Sequence, residues 1–262
     1  MTIREEAHRG PLRWLDAIRA TEATRAYKRQ AFDCLKLRSG DTLLDVGCGS
    51  GEDVLTAARL IGARGKATGV DSDPGMVAEA WRRAEGVALA IDFAIADAAD
   101  LPFADGSFTA SRSDRVFQHL ESPERTLAEM VRVTRRDGVV QIIDSDWESV
   151  LIDSSDCHVG REIVRYMAER AVPNGRIGRR LSGLFHAAGL SSISVVPLPW
   201  VFADLGLFEK VIGFRNHAAK ACDAGLVTSD AAAAWIADLE ARQTQGRFFA
   251  AGLGFIVQGR NH

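Results

Sequence analysis

Two hydrophobic periods take turns along this chain. From residue 42 onward, short apolar runs of strand length recur at 43–46, 67–71, 89–95 and 139–143, separated by stretches of helical spacing. Val54, Ala57, Ala58 and Ile61 fall at i, i+3, i+4 and i+7, which predicts a helix with one apolar face. Leu127, Met130, Val131 and Thr134 repeat the pattern. Alternating strands and helices predict an α/β fold, a doubly wound and mostly parallel sheet. Two more helices are expected at about 158–171 and 175–188, strand six near 193–196, and strand seven near 255–257 within an apolar run over 248–259. Residues 11–36 read as N-terminal helix covering one end of the sheet.

Residues 203–246 are too many for a hairpin between the last two strands. Two helices are predicted there. Phe208, Val211, Ile212, Ala218 and Ala219 share a face interrupted by Arg215; Ala232, Trp235, Ile236 and Leu239 form the second face, and Gly225 separates the two. An insertion of this length at a sheet end is usually functional, so it reads as a helical cap; an oligomer contact or extra packing is the alternative. With no internal repeat or low-complexity linker, residues 1–262 read as one domain.

The first strand ends in Leu43-Leu44-Asp45-Val46-Gly47-Cys48-Gly49-Ser50-Gly51, and the second in Val70-Asp71. A glycine-rich turn between strand and helix lets a ligand approach the backbone, and an acid at the next strand tip can accept both hydroxyls of a ribose. The pattern predicts an adenosine-type cofactor. A dinucleotide fingerprint needs G-x-G-x-x-G; here the spacing is G-x-G-x-G. Asp45, Glu52 and Asp53 surround the turn. Three carboxylates there suit a cationic ligand and oppose a pyrophosphate.

This stretch resembles the first motif of class I S-adenosylmethionine-dependent methyltransferases. Val70-Asp71-Ser72-Asp73-Pro74-Gly75-Met76 resembles the second motif, and Ala96-Asp97-Ala98 the third. The segment 101–108, Val116-Phe117-Gln118-His119-Leu120, 127–133 and 139–144 continue the order and spacing of the small-molecule group that includes the quinone-biosynthesis methylases. The resemblance covers about residues 25–200. It implies a seven-stranded Rossmann-like sheet whose last strand inserts antiparallel beside strand six. It implies S-adenosyl-L-methionine as cofactor, bound by Asp45, Gly47, Cys48, Gly49, Gly51, Asp71, Ser72, Met76, Asp97, Ala98 and Ser113, with Asp71 on the ribose and Met76 on the adenine. Tyr27 and Arg29 stand where that group can touch the methionine end of the cofactor. Two departures are visible. The turn before strand five is Arg136-Asp137-Gly138 instead of Pro-Gly-Gly, still good turn chemistry. Ser113-Asp114-Arg115-Val116 lacks the Asn/Asp-Pro-Pro-aromatic tetrad of enzymes that methylate exocyclic amines of nucleobases or glutamine amides.

The chain has 262 residues, 47% of them hydrophobic, enough for a full core. A net charge of −3 gives no drive toward nucleic acid or an anionic membrane surface. No apolar run reaches the roughly 20 residues that span a bilayer. Residues 1–9 lack the apolar stretch of a signal peptide. Cys34, Cys48, Cys157 and Cys222 are scattered without C-x-x-C, implying neither a disulfide framework nor a zinc site, and placing the chain in the cytoplasm.

Methyl transfer from a sulfonium mainly requires holding nucleophile, methyl and sulfur in line and keeping water out. A base is needed only where the nucleophile must lose a proton. His119, just past strand four, is the candidate; a packing role in the pocket wall is the alternative. Asp144, Asp146 and Trp147 follow strand five at the same rim, where Trp147 can stack on a flat or cationic substrate. Phe214 and His217 on the insert are further candidates for the substrate pocket. No spacing supports a metal. The function expected is methyl transfer to an O, N or C atom of a small molecule. The competing reading is a non-catalytic S-adenosylmethionine-binding regulator or scaffold. Acceptor and oligomeric state stay open.

Overall fold

The computed structural model describes residues 21–262. Its first half runs α1 (Glu22–Leu35), β1 (Thr42–Val46), α2 (Glu52–Ile61), β2 (Lys66–Asp71), α3 (Pro74–Ala84), β3 (Ile91–Ile95) and β4 (Phe108–Asp114). A 3-10 turn (Phe117–His119) leads to α4 (Pro123–Val133), β5 (Thr134–Ile152), α5 (Cys157–Tyr166), a π-helical turn (Met167–Ala171) and α6 (Ile177–Ala187). Then follow β6 (Ser191–Phe202), α7 (Leu205–Ile212), α8 (Phe214–Asp223), α9 (Ser229–Thr244) and β7 (Ala250–Arg260).

The strands form one seven-stranded sheet in the order β3-β2-β1-β4-β5-β7-β6. The pairs from β3 to β5 are parallel, while β7 runs antiparallel to both β5 and β6. This is the Rossmann-like sheet expected, with its inserted antiparallel strand. The strand order reverses between β1 and β4, and the carboxyl ends of strands at such a reversal are where ligands bind.

β1 is buried on both faces, so it reads as continuous apolar sequence. Leu44 and Val46 pack with Phe117, Met130, Ile142 and Phe185; Leu43 packs with Val54, Ala57 and Ile61 of α2. α3 starts as its sequence dictates: Pro74 takes the first turn, and the Asp73 carboxylate accepts the Gly75 N–H at 2.7 Å.

Several boundaries differ from the sequence reading. Residues 11–20 of the expected N-terminal helix lie outside the described residues; the rest is α1. β5 continues well past residue 143 because β7 accompanies it to Ile152 through a bulge between Asp146 and Leu151. β6 is likewise longer, pairing with β7 as far as Phe202. The insert holds three helices where two were expected. Gly213, at φ 69°, ends α7 and begins α8, cutting the first expected helix at its midpoint. These helices bury Phe208, Phe214, Trp235 and Leu239 against Val159 and Ile163 of α5. No helix among the described residues is long and apolar enough to cross a membrane.

Candidate active site

A cavity of about 750 Å³ opens at the carboxyl ends of β1 and β4. Ligand pockets fall in this size range. One half is built on the glycine turn. Gly47 sits at φ 74°, and a Cβ there would meet Val116 Cγ2 at 2.3 Å, so the position admits only glycine. Gly49, at φ 52°, has nothing within 4 Å of a Cβ position, and its open side faces the cavity it lines. Across the gap Asp71 accepts the Gly49 N–H on Oδ2 at 2.8 Å and the Asp73 N–H on Oδ1 at 3.0 Å. Each carboxylate oxygen keeps a lone pair for a ligand hydroxyl. Asp45, Cys48, Ser72, Met76, Asp97 and Ala98 line the same half. A nucleoside fits this cradle: bare backbone at Gly49, a bidentate acceptor at Asp71 and a thioether at Met76.

The acidic mouth expected around the turn is corrected by its counter-ions. Arg112, fully buried in β4, donates to Asp53 at 2.7 Å and Asp45 at 3.2 Å, and contacts Asp114 at 3.4 Å. Lys28 of α1 pairs with Asp53 and, at 2.8 Å, with Asp114. Glu52 pairs with Arg83 at 2.7 Å. Phe32 lies over the Arg112 guanidinium, 4.9 Å from ring centroid to Cζ. Burial pushes the Asp45 carboxyl up to about 7 against the opposing charge of Arg112. Burial also works against ionised Asp53 and Asp114, but the adjacent cations outweigh it and hold both below the usual carboxylate range. The turn therefore rests on a nearly balanced buried ion cluster.

The other half of the cavity is a mostly apolar chamber. Its walls include Met167, Leu198, Trp200, Phe202, Leu207 and Ile212, from the π-helical turn, the extended tail of β6 and α7. Trp147 stands at its base, with the indole N–H donated to the Gln118 side chain and the backbone N–H to the Gly175 carbonyl. Asp144, also on the lining, accepts the backbone N–H of Gln118 at 3.0 Å and of Ser145 at 2.8 Å. Burial pushes its carboxyl up to about 7 despite these donors. Asn174 ties down the turn that carries His119, donating to the carbonyls of Phe117 and Leu120. His119 and His217 both reach the lining, and both are lowered in pKa, first by partial burial and then by Arg115 and Lys220 respectively.

Several of the residues singled out from sequence stand away from this lining. Gly51 caps α2, where a Cβ would meet Phe93 at 2.7 Å. Ser113 is buried behind the turn and donates to the Val46 carbonyl at 2.9 Å. Asp146, 2% exposed, is claimed by the Arg179 guanidinium. Phe214 stacks on Phe208 inside the aromatic cluster of the insert. Arg29 pairs with exposed Glu22, while Tyr27 lines the cavity and donates to Asp114. The sequence reading missed Lys28, Arg115 and Gln118, as well as the apolar walls from β6 and α7. Only the unusual arginine inside strand four, Arg112, signalled the ion cluster.

Comparison with known proteins agrees with this geometry. Residues 44–142 match the family model described as a methyltransferase domain. The 37.1 kDa protein of transposon TN4556 from Streptomyces fradiae is 37% identical over 93% of this chain and 69% of its own length. The 2-phytyl-1,4-naphtoquinone methyltransferase of Nostoc sp. is 32% identical over 46% of this chain and 53% of its own. The chain thus spans about half the length of that quinone enzyme. Among solved structures, the geranyl diphosphate C-methyltransferase of Streptomyces coelicolor, in complex with Mg²⁺, geranyl diphosphate and S-adenosyl-L-homocysteine, has the same fold. Its TM-score is 0.56 at 18% identity, covering 91% of this chain and 79% of that one. A glycine turn opposite an acid-tipped β2, on this sheet order and within this matched segment, places the chain in the class I S-adenosylmethionine-dependent methyltransferases.

Proposed function

We propose that the protein transfers the methyl group of S-adenosylmethionine to an O, N or C atom of a small, largely apolar molecule. The observation that carries this reading is one continuous cavity, lined at one end by Gly49 and Asp71 and at the other by Met167, Trp200 and Ile212. When bound, S-adenosylmethionine supplies a methyl group already activated on a sulfonium. Asp71 would hold the ribose hydroxyls, Met76 would pack on the adenine, and Asp97-Ala98 would border its edge. The insert and the tail of β6 exclude water and fix the acceptor's orientation, the main contributions a protein makes to in-line displacement. Quinone-like and isoprenoid acceptors, named for two of the proteins above, match an apolar chamber in kind.

His119 reads as a wall residue more readily than as a base. Its ring hydrogen-bonds to no described residue that would orient it, and its lowered pKa weakens it as a proton acceptor. With four free cysteines, the protein fits a reducing cytoplasm. The test is incubation with methyl-labelled S-adenosylmethionine and pooled small molecules or cell extract, followed by mass assignment of labelled products. Label is expected in small organic-soluble compounds. Label that stays on the cofactor, or moves only to protein or RNA, overturns the reading.

A further inference from the structure

The chamber's apolar walls meet one strongly charged side chain at their junction with the cofactor half. Arg115 lines the cavity immediately after β4 and holds φ at 61°. That conformation is strained for a residue with a side chain, and strain of this kind persists where the surroundings enforce it. Here the Arg115 N–H donates to the Ile143 carbonyl at 2.8 Å, which turns the chain out of the strand. The side chain is only 23% exposed, and its sole ion-pair contact among the described residues is Asp114 Oδ1, 3.5 Å from Nε. Nε is shut off from solvent without a hydrogen-bond partner. Lys28 at 2.8 Å and the Tyr27 hydroxyl at 3.3 Å hold the other oxygen of this carboxylate, Oδ2, so Arg115 meets Oδ1 as an ion pair too long for a full hydrogen bond. The cluster's other two cations, Lys28 and Arg112, have hydrogen-bonded carboxylates of their own; Arg115 does not. Burial strips the guanidinium of hydration, the surrounding acidic groups nevertheless hold it charged, and a ligand oxyanion in the cavity it lines can take a charge-assisted hydrogen bond from it.

We propose that Arg115 recognises the methyl acceptor and that the acceptor binds there as an oxyanion of the phenolate or enolate class. This rests on the methyltransferase reading and goes further by naming the substrate's chemistry. The ionisable groups around Arg115 are Tyr27 from α1, Asp53 from α2, Asp114 from β4, Asp144 from β5 and His119 from the 3-10 turn. Asp53 and Asp114 are spoken for by Lys28 and Arg112. Burial pushes the Asp144 carboxyl up to about 7, which weakens its hold on the guanidinium, and His119, lowered by burial and by Arg115 itself, brings no anion to it. An acceptor held as its oxyanion has already released its proton to solvent. Methylation at that oxygen then forms the O–C bond as the C–S pair returns to sulfur, with no proton left to move. The absence of an oriented base at His119 follows from the same arrangement.

The experiment uses para-nitrophenol as a chromogenic phenol and para-nitroanisole as its neutral counterpart, with protein saturated by S-adenosylhomocysteine. Absorbance reads the phenolate fraction against pH. Bound para-nitrophenol should ionise about one pH unit or more below its free value, and should bind about tenfold tighter than para-nitroanisole once ionised. Arg115→Gln should abolish both effects, and Arg115→Lys should retain part of each. In calorimetry, Arg115→Gln should leave affinity for S-adenosylhomocysteine and for methylthioadenosine within about threefold of wild type, which also certifies the variant's fold. An unshifted or unbound phenol in the wild type overturns the proposal. So does selective loss of S-adenosylhomocysteine affinity in Arg115→Gln with methylthioadenosine unaffected, which would give Arg115 to the cofactor's own carboxylate. Failure of the wild type to bind S-adenosylhomocysteine at all would instead sink the methyltransferase reading beneath it.

Discussion

Replacing Asp71 by alanine removes the acceptor on which the proposed cofactor site turns. In the structure its carboxylate already takes two backbone N–H groups, from Gly49 at 2.8 Å and Asp73 at 3.0 Å. Both lie beside the open cavity, so water can replace the lost acceptor and the turn should survive. The two ribose hydroxyls lose charge-assisted bonds worth about 1.5–3 kcal/mol each. With water recovering part of this, the net loss should fall between one such bond and two weak ones, about 1.5–3 kcal/mol. Affinity for S-adenosylhomocysteine should therefore drop between about tenfold and a few hundredfold. Calorimetry measures the affinity, and thermal melting confirms that the variant is folded. An analogue lacking the ribose hydroxyls separates direct recognition from loop distortion. The wild type should discriminate against it, and Asp71→Ala should not. Unchanged affinity in a folded Asp71→Ala protein, or equal discrimination in both proteins, refutes the assignment.

Arg112→Met leaves Asp45 and Asp53 buried with only Lys28 to compensate; breaking such a network costs about 3–5 kcal/mol, so Tm should fall by roughly 6 °C or more, and an unchanged Tm would contradict the ion-cluster account. Asp144 is raised to about 7 by burial, above the roughly 3.9 of an unfolded aspartate. The folded chain keeps a proton there that the unfolded chain releases, so this group's contribution to stability declines as pH rises from about 4 to about 7. The stability of wild type relative to Asp144→Asn should decline across that window in urea titrations, and a flat difference would show that Asp144 is not raised. Replacing residues 204–245 with a short Gly/Ser loop should abolish methyl transfer while leaving S-adenosylhomocysteine binding within several-fold; loss of both in a folded protein would refute the division into two half-sites.

The glycine turn and the acid at the next strand tip were legible in sequence because they are local. Gly47, Gly49 and the helix start follow one strand, and Asp71 ends the next, so strand period and spacing alone placed them on one rim. Contacts distant in sequence were not legible. Asp45 and Asp53 read as part of an acidic turn because their partners, Lys28 and Arg112, arrive from α1 and β4. Asp146 read as a pocket residue by position, yet Arg179 of α6 captures it. The apolar chamber was hidden for another reason. β6 continues through Pro197 and Pro199, residues that argue against a strand except at a sheet edge, which is where β6 lies with β7 as its partner, and β5 continues past a bulge between Asp146 and Leu151 that interrupts its pattern. Gly213 could have been found: a glycine inside a helical pattern, beside an arginine that interrupts the apolar face, is a stop signal.

The most direct measurement is a crystal structure of the protein with S-adenosylhomocysteine. The ribose hydroxyls should lie within hydrogen-bond distance of both Asp71 oxygens, the adenine beside Met76 and Asp97-Ala98, and the sulfur should open toward the chamber bounded by Arg115, Trp147 and Trp200. A nucleoside bound elsewhere, or a sulfur turned away from that chamber, would contradict the assignment.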